Sequence, residues 1–312
     1  MLAAASDKVV DHFQRTLSLE VSAKKSVAVA GRPSVASAVA RLSRARKLTA
    51  RRSTQLLGVS SAGGRRRATS VLKMRLKQLA QRAPRIQALR RVGLPATRLA
   101  KAAGTPVATY GTDVCGMSCT HLRGVRCAIA RAVAPGGGGK AHDATLYAID
   151  AAAGTVDPAF DAHILPIKML AMAWWQAWQP PAILRSAVRR ARRAVLRDGQ
   201  PVWARVTGPA AAAVASASRI GWTFRHDATI LSDDGAIIDL AVDSPAAVVD
   251  AVRGAVRRWR VRRLGALLPD LIPRDPDLVA PGGGAGPTRR HVLDFARTLG
   301  AGQGRPPLRG LR

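Results

Sequence analysis

A mainly α fold with small β elements is the class this sequence predicts, and three observations carry that reading. Apolar residues recur at helical spacing through most of the chain, as in Leu72, Leu76, Leu79 and again in Leu184, Val188, Ala191, Val195. Stretches of strand length are few and short, and the clearest is a hairpin signal over residues 228–242, turning at Asp234-Gly235. Hydrophobic residues make up 47% of the chain but aromatics only 4%, so much of the apolar content is alanine and large core anchors are scarce.

Each element follows from local pattern. Residues 7–19 put Val10, Phe13 and Leu17 on one helical face, after which Leu19, Val21, Val27 and Val29 read as two short strand pieces around a Ser-Ala-Lys-Lys turn. A helix is expected over 35–48 with Val35, Val39 and Leu42 on one side, then a short apolar strand in STQLLGV closed by glycines. From Arg65 to Arg91 the pattern is a basic amphipathic helix pair, broken or restarted at Pro84, with Ile86 and Leu89 continuing the stripe. Ser118 is an N-cap candidate for a helix carrying Leu122, Val125 and Ile129. PGGGGK at 135–140 reads as a linker. Residues 166–178 suggest a helix buried on most sides with Pro166 at its first position, followed by a helix over 182–197 and another opened by Ser244-Pro245 that carries Val248, Val252, Val256 and Trp259. Beyond Pro273 the composition shifts to Pro, Gly and Arg, which predicts a largely disordered tail with a short helix over 291–299. The domain division expected is 1–64, 65–134, 141–272 and the tail 273–312.

Charge is the strongest functional signal. Between Glu20 and Asp113 there is no acidic residue, while that gap holds 21 Lys and Arg, and the whole chain carries a formal net charge of +31. A one-sign surface repels itself, so a field this long implies a polyanion that neutralises it, and nucleic acid is the commonest such partner. A coding bias toward Arg and Ala raises Arg everywhere but does not clear Asp and Glu from one segment alone. The basic residues expected to meet phosphates are Arg65, Arg66, Arg67, Lys73, Lys77, Arg85, Arg90 and Arg91, with a second row at Arg185, Arg189, Arg192 and Arg193. No apolar run approaches the ~20 residues of a membrane span, and MLAAASDKVV lacks the features of a secretory signal. The expectation is an intracellular chain, in nucleus or cytoplasm, with no membrane partner. Three Cys within thirteen residues form no disulfide framework and suit a reducing compartment.

Two motifs then stand in a particular order: LSLEVSAKKS at 17–26, preceded by a helical segment with Phe13, and QLLGV at 55–59, followed by glycines and a basic helical region. Further on come TYGTDVCGM at 109–117 and IGWTF at 220–224. This order resembles the reverse transcriptase of LINE-like, non-LTR retrotransposons from its motif D through its motif E, or primer grip, and its thumb. The resemblance covers about residues 7–131 in order and the remainder weakly. It implies a polymerase palm edge, a helical thumb-like module and a helical extension with one β-hairpin. Lys25 matches the motif D lysine, whose ammonium neutralises charge as pyrophosphate departs. Leu57, Gly58 and Val59 match the primer grip, Gly58 allowing close backbone approach. The thumb cations hold an RNA or RNA–DNA duplex by its phosphates. The family's RNA-directed DNA polymerisation needs Mg²⁺ held by aspartates upstream of motif D. Before Lys25 only Asp7, Asp11 and Glu20 are acidic. The resemblance therefore implies a remnant that begins past the catalytic hairpin, binds nucleic acid, needs no cofactor for binding and does not polymerise alone. The rival readings are a basic structural or chromatin-associated protein that condenses nucleic acid and a pseudogene-like translation with no selected role.

Other constellations weigh less. Ser-Asp-Asp at 232–234 mimics a polymerase metal motif, but Asp-Gly is an ordinary turn signal and a structural turn is expected. Cys115, Cys119, His121 and Cys127 have a spacing and helical context unlike a zinc knuckle, and small buried thiols are expected instead. Trp174, Trp175 and Trp178 could stack on bases, but their helical spacing beside Met169 and Leu170 predicts core packing, with Trp175 exposed.

Overall fold

A computed structural model describes residues 2–22, 26–43, 48–56, 59–63, 67–134, 141–150, 154–197 and 201–267. The described chain is mainly helical with three small sheets. The linker at 135–140 and the tail beyond 267, including the helix expected at 291–299, lie outside the described residues. No helix among the described residues is long and apolar enough to cross a membrane.

The first 63 residues hold α1 (Leu2–Asp11), β1 (Val27–Val29), α2 (Pro33–Leu42), β2 (Thr49–Arg51), β3 (Ser53–Leu56) and β4 (Val59–Ala62). Strand β1 pairs in parallel with β2, and α2 carries the chain between them. A hydrogen bond from Ser43 Oγ to Asp7 Oδ1 at 2.7 Å ties the end of α2 to α1. Several expectations are corrected here. The first helix stops at Asp11 and widens into a five-residue π turn over His12–Thr16, leaving Phe13 and Leu17 exposed. Among the described helices α2 packs on α1, and the far half of that stripe is left exposed. Leu19 and Val21 form no strand. Helix α2 buries Ala36 and not the larger residues beside it. The expected single strand at 53–62 is an antiparallel hairpin, registered Ser53↔Ala62 through Leu56↔Val59.

Helix α3 (Ser70–Arg91) follows, then α4 (Ala96–Leu99), α5 (Thr105–Thr109), α6 (Thr112–Cys115) and α7 (Cys119–Val133). Helix α3 is one continuous helix with Pro84 inside it, not the expected pair. Pro84 removes the bond to the carbonyl of Ala80, and both residues are exposed, so water can satisfy that oxygen. Leu79, Ala83 and Ile86 bury on the opposite side, where α3 packs along α7. Ser118 caps α7 as expected, its hydroxyl accepting the His121 N–H at 3.3 Å, and Leu122, Val125 and Ile129 are buried.

Helices α8 (His142–Asp150), α9 (Ala159–Trp175), α10 (Pro181–Val195), α11 (Pro209–Arg219) and α12 (Pro245–Leu267) complete the helical body. Helix α9 is the centre, packing against α11, α12 and α6. It begins seven residues before Pro166, which is buried inside it. Asp157 starts it, its Oδ1 accepting the Ala159 N–H at 2.9 Å. Helix α11 supplies Ala211, Ala212, Ala213, Ala215 and Ala217 to the interior, and small side chains there let α9 and α11 approach closely. Trp174 is buried, but Trp178 is exposed along with Trp175. Between α11 and α12 lie β5 (Thr223–Phe224), β6 (Thr229–Leu231) and β7 (Ile237–Asp239), so IGWTF adds a third strand to the expected hairpin. Gly235 takes φ +86 in the turn, the left-handed conformation glycine accommodates. One buried apolar cluster runs from Leu79 to Val256, and the boundary expected at 135–140 falls within its span.

Candidate nucleic-acid interface

The outward face of α3 is a row of cations. Lys73, Lys77, Arg85 and Arg91 are all exposed, and no ion pair engages them among the described residues. Lys73 and Lys77 are one turn apart, Arg91 stands five turns beyond Lys73 in line with it, and Arg85 is exposed about a third of a turn round from that line. The row is roughly 27 Å long at 1.5 Å per residue, a span that covers several phosphates of one duplex strand. The helix can present it because its other side is fixed against α7, where Gly124 leaves room for Leu76. Arg90 turns away from this row and is half-buried, its Nε without a partner among the described residues.

Arg67 does not belong to the row. Its Nε donates to the Cys115 carbonyl at 2.9 Å, its Nη2 donates to the Gly116 carbonyl, and its guanidinium stacks 5.4 Å from the Trp203 ring. It is a brace between the start of α3 and the turn before α7. Arg65, Arg66, Lys25, Leu57 and Gly58 lie outside the described residues. Val59 is placed against Gly111, where a Cβ would meet Val59 Cγ2 at 2.8 Å, and Gly111 holds φ +80. The QLLGV and TYGTDVCGM segments are thereby brought together beside α3.

Helix α10 buries Leu184, Val188, Ala191 and Val195 as its pattern predicts and turns Arg185 and Arg193 outward. Arg189 is also exposed but pairs with Asp227 at 2.6 Å, and that hydrogen bond holds the Asp227 carboxyl below its usual range. Arg192 is half-buried.

Three acids of the second half, Asp143, Asp150 and Asp157, are used inside. Asp150, itself buried, accepts the backbone N–H groups of Thr155, Val156 and Asp157 at 2.8–3.1 Å and shapes the loop into α9. Asp157 then takes Arg126 in a two-pronged contact, Nε to Oδ1 and Nη2 to Oδ2, both at 2.9 Å. Arg260 of α12 reaches the same carboxylate at 3.1 Å. Asp143 binds Arg126 as well and accepts from Arg263 at 3.2 Å. Burial pushes the Asp143 carboxyl up, but the Arg126 charge and hydrogen bonds from Arg263 and Arg126 outweigh it and hold the group at about 2. Trp259 lies under both Arg126 and Arg263, 5.5 and 5.2 Å from their guanidinium carbons. His163, fully buried against Trp259, is pushed well below its ordinary pKa by burial and packs as neutral core.

None of this network was singled out from sequence, although Asp143, Asp150 and Asp157 recur every seven residues in an acid-poor chain. Asp233 is a second correction. It is more than a turn residue: Arg258 grips it at 2.9 and 2.6 Å, Arg262 reaches it at 3.0 Å, and Trp222 Nε1 donates to it at 3.2 Å. Asp234 serves the turn, accepting from Ser232 Oγ at 2.5 Å. Of the four candidate zinc ligands, Cys115 is buried, Cys119 is exposed, and His121 Nδ1 lies 2.7 Å from Ser118 Oγ. No group of three metal-ligating side chains is gathered among the described residues. No protein-family model, curated protein or solved structure matches the chain.

Proposed function

We propose that this chain binds nucleic acid through its phosphates without reading sequence, and that an RNA or RNA–DNA duplex is its preferred form. The observation that carries the proposal is the exposed row Lys73, Lys77, Arg85, Arg91 on a rigid helix, in a segment that contains no carboxylate. Phosphate contacts of this kind position a polymer and release its counterions, and they carry no base information. The buried Asp143 and Asp157 strengthen the reading. They neutralise internal arginines and leave the cations of α3 unopposed. The order of the motif D-like, primer-grip-like and thumb-like segments supports descent from a non-LTR reverse transcriptase, in which α3 would be a thumb helix beside a palm edge. The closeness of Val59 to Gly111 and α3 is compatible with that arrangement.

The test is a binding titration by fluorescence anisotropy on single-stranded RNA, duplex DNA and an RNA–DNA hybrid, with the parent and the variant Lys73→Gln/Lys77→Gln/Arg85→Gln/Arg91→Gln. Tighter binding to the hybrid, lost in the variant, is expected. Equal affinity for every form, unchanged in the variant, would replace this reading with that of a condensing basic protein.

A further inference from the structure

Two of the six tryptophans are left in solvent, and both sit at the corner where α9 turns into α10. Trp175 is 52% exposed and Trp178 is 47% exposed, and every residue from Trp175 to Ile183 is exposed. The other four are engaged by the body of the fold. Trp174 and Trp222 are buried, Trp203 lies against Arg67 and Arg219, and Trp259 lies against Arg126 and Arg263. Aromatics are 4% of this chain and its core leans on alanine, so two indoles left in water forgo stability that packing would supply.

The local backbone holds them there. The Ala177 N–H donates to the Trp174 carbonyl at 3.2 Å and the Trp178 N–H to the Ala173 carbonyl at 3.1 Å, the pair of bonds that closes a helix on a left-handed residue. That residue is Ala177 at φ +48, where glycine is usual. Trp178 Nε1 donates to Gln176 Oε1 at 2.7 Å, which satisfies the indole N–H and leaves the ring open to solvent. The surroundings are cationic. Between Asp161 and Asp198 there is no carboxylate, while that stretch holds seven Lys and Arg. Lys168 is exposed two turns before Trp175 on the same line of α9. Beyond the corner, Arg190 and Arg193 stand on the outward side of α10, and neither forms an ion pair among the described residues, whereas Arg189 is taken by Asp227.

We propose that this corner binds single-stranded nucleic acid, with bases stacked on Trp175 and Trp178 and the flanking phosphates held by Lys168, Arg190 and Arg193. Every base offers a π face, so stacking tolerates any sequence, and a duplex keeps those faces inside, so the site selects unpaired bases. A bilayer fits less well, because the apolar stripe of α10 is already buried in the body and the helix has no such face left to insert. The corner shares no residue with the α3 row and stands whether or not α3 meets a duplex.

The experiment measures anisotropy of a labelled single-stranded oligonucleotide of about twelve nucleotides and of an abasic oligomer of the same length, which carries the same phosphates and no bases. It uses the parent, Trp175→Ala/Trp178→Ala, Trp175→Phe/Trp178→Phe, Arg190→Gln/Arg193→Gln and the fourfold α3 variant. The parent is expected to bind the base-bearing strand about tenfold more tightly than the abasic one. The alanine pair should abolish that preference and leave abasic affinity unchanged, while the phenylalanine pair, which keeps a ring at each position, should retain most of it. The arginine pair should weaken both oligomers alike, by about threefold to tenfold. Both tryptophans are exposed, so the alanine pair should melt at the temperature of the parent. Equal affinity of the parent for the two oligomers, or a preference that survives the alanine pair, would overturn the site. Sedimentation with phosphatidylserine vesicles that the alanine pair loses, in a parent without base preference, would assign the corner to a membrane surface instead. The α3 variant should keep the base preference while its duplex affinity falls. Unchanged duplex affinity in that variant would refute the α3 interface and leave the corner standing.

Discussion

Replacing Asp157 by Asn isolates the charge on which the helical body closes. The carboxylate is 1% exposed and receives Arg126 at 2.9 Å through two bonds and Arg260 at 3.1 Å. Asn keeps the volume and one acceptor oxygen, so the loop into α9 and its bond to Ala159 can persist. What disappears is the negative charge facing two buried guanidinium groups. Arg126 then keeps only its pairing with Asp143, and Arg260 loses its 3.1 Å carboxylate contact. Breaking a buried pair on one side costs about 3–5 kcal/mol, because the remaining charge is left uncompensated. For a body of this size that corresponds to a fall in melting temperature of roughly 10 °C. Urea unfolding monitored by tryptophan fluorescence gives the free energy, and calorimetry gives the temperature. The matched control is Asp250→Asn, whose pair with Arg253 is exposed at 74% and 50%, and its cost should stay below about 1 kcal/mol. A cost under about 1 kcal/mol for Asp157→Asn, equal to the control, would refute the reasoning and show that the guanidinium groups find compensation elsewhere.

Further outcomes follow from the same contacts. Because Asp143 is held at about 2, below its ordinary 3.8, its contribution of about 2 kcal/mol is complete above pH 4 and is lost as pH falls toward 2, so acid unfolding of Asp143→Asn should be flatter over that window. Neutralising the four exposed α3 cations should make the plot of log K against log[salt] for a duplex shallower by about 3 to 4, while neutralising Arg67 should lower stability and leave that slope unchanged. In the hairpin, Asp233→Asn should cost about 1–3 kcal/mol in urea unfolding through the lost Arg258 and Arg262 contacts, and Asp234→Asn should cost less than about 1. Gly235→Val should add about 1–2 kcal/mol of strain at φ +86. Primer extension on a primed RNA template with Mg²⁺ or Mn²⁺ should give no product from this chain alone, and product that disappears on Lys25→Ala would place a polymerase site here.

What the sequence determined was set by periodicity and by sign. A stripe such as Leu184, Val188, Ala191, Val195 can only be buried on one side of a helix, and it is. The Ser118 cap, the turn at Gly235 and the Val248, Val252, Val256 face are likewise local patterns with one physical solution. The acid-free stretch dictated that some cations stay unopposed, because no carboxylate exists nearby in the chain to meet them. Which cations those are was decided by the tertiary structure alone. Arg67 and Lys73 are equivalent in sequence, yet one spans 48 residues to grip the Cys115 carbonyl and the other faces solvent. Pro84 and Pro166 read as helix boundaries, but apolar contacts on both sides of each carry the helix through. The pairing of Arg126 with Asp157, of Arg263 with Asp143 and of Arg258 with Asp233 joins residues 25 to 120 positions apart. Such pairs leave no periodic trace, since an ion pair depends on where two side chains arrive after packing and not on the spacing between them.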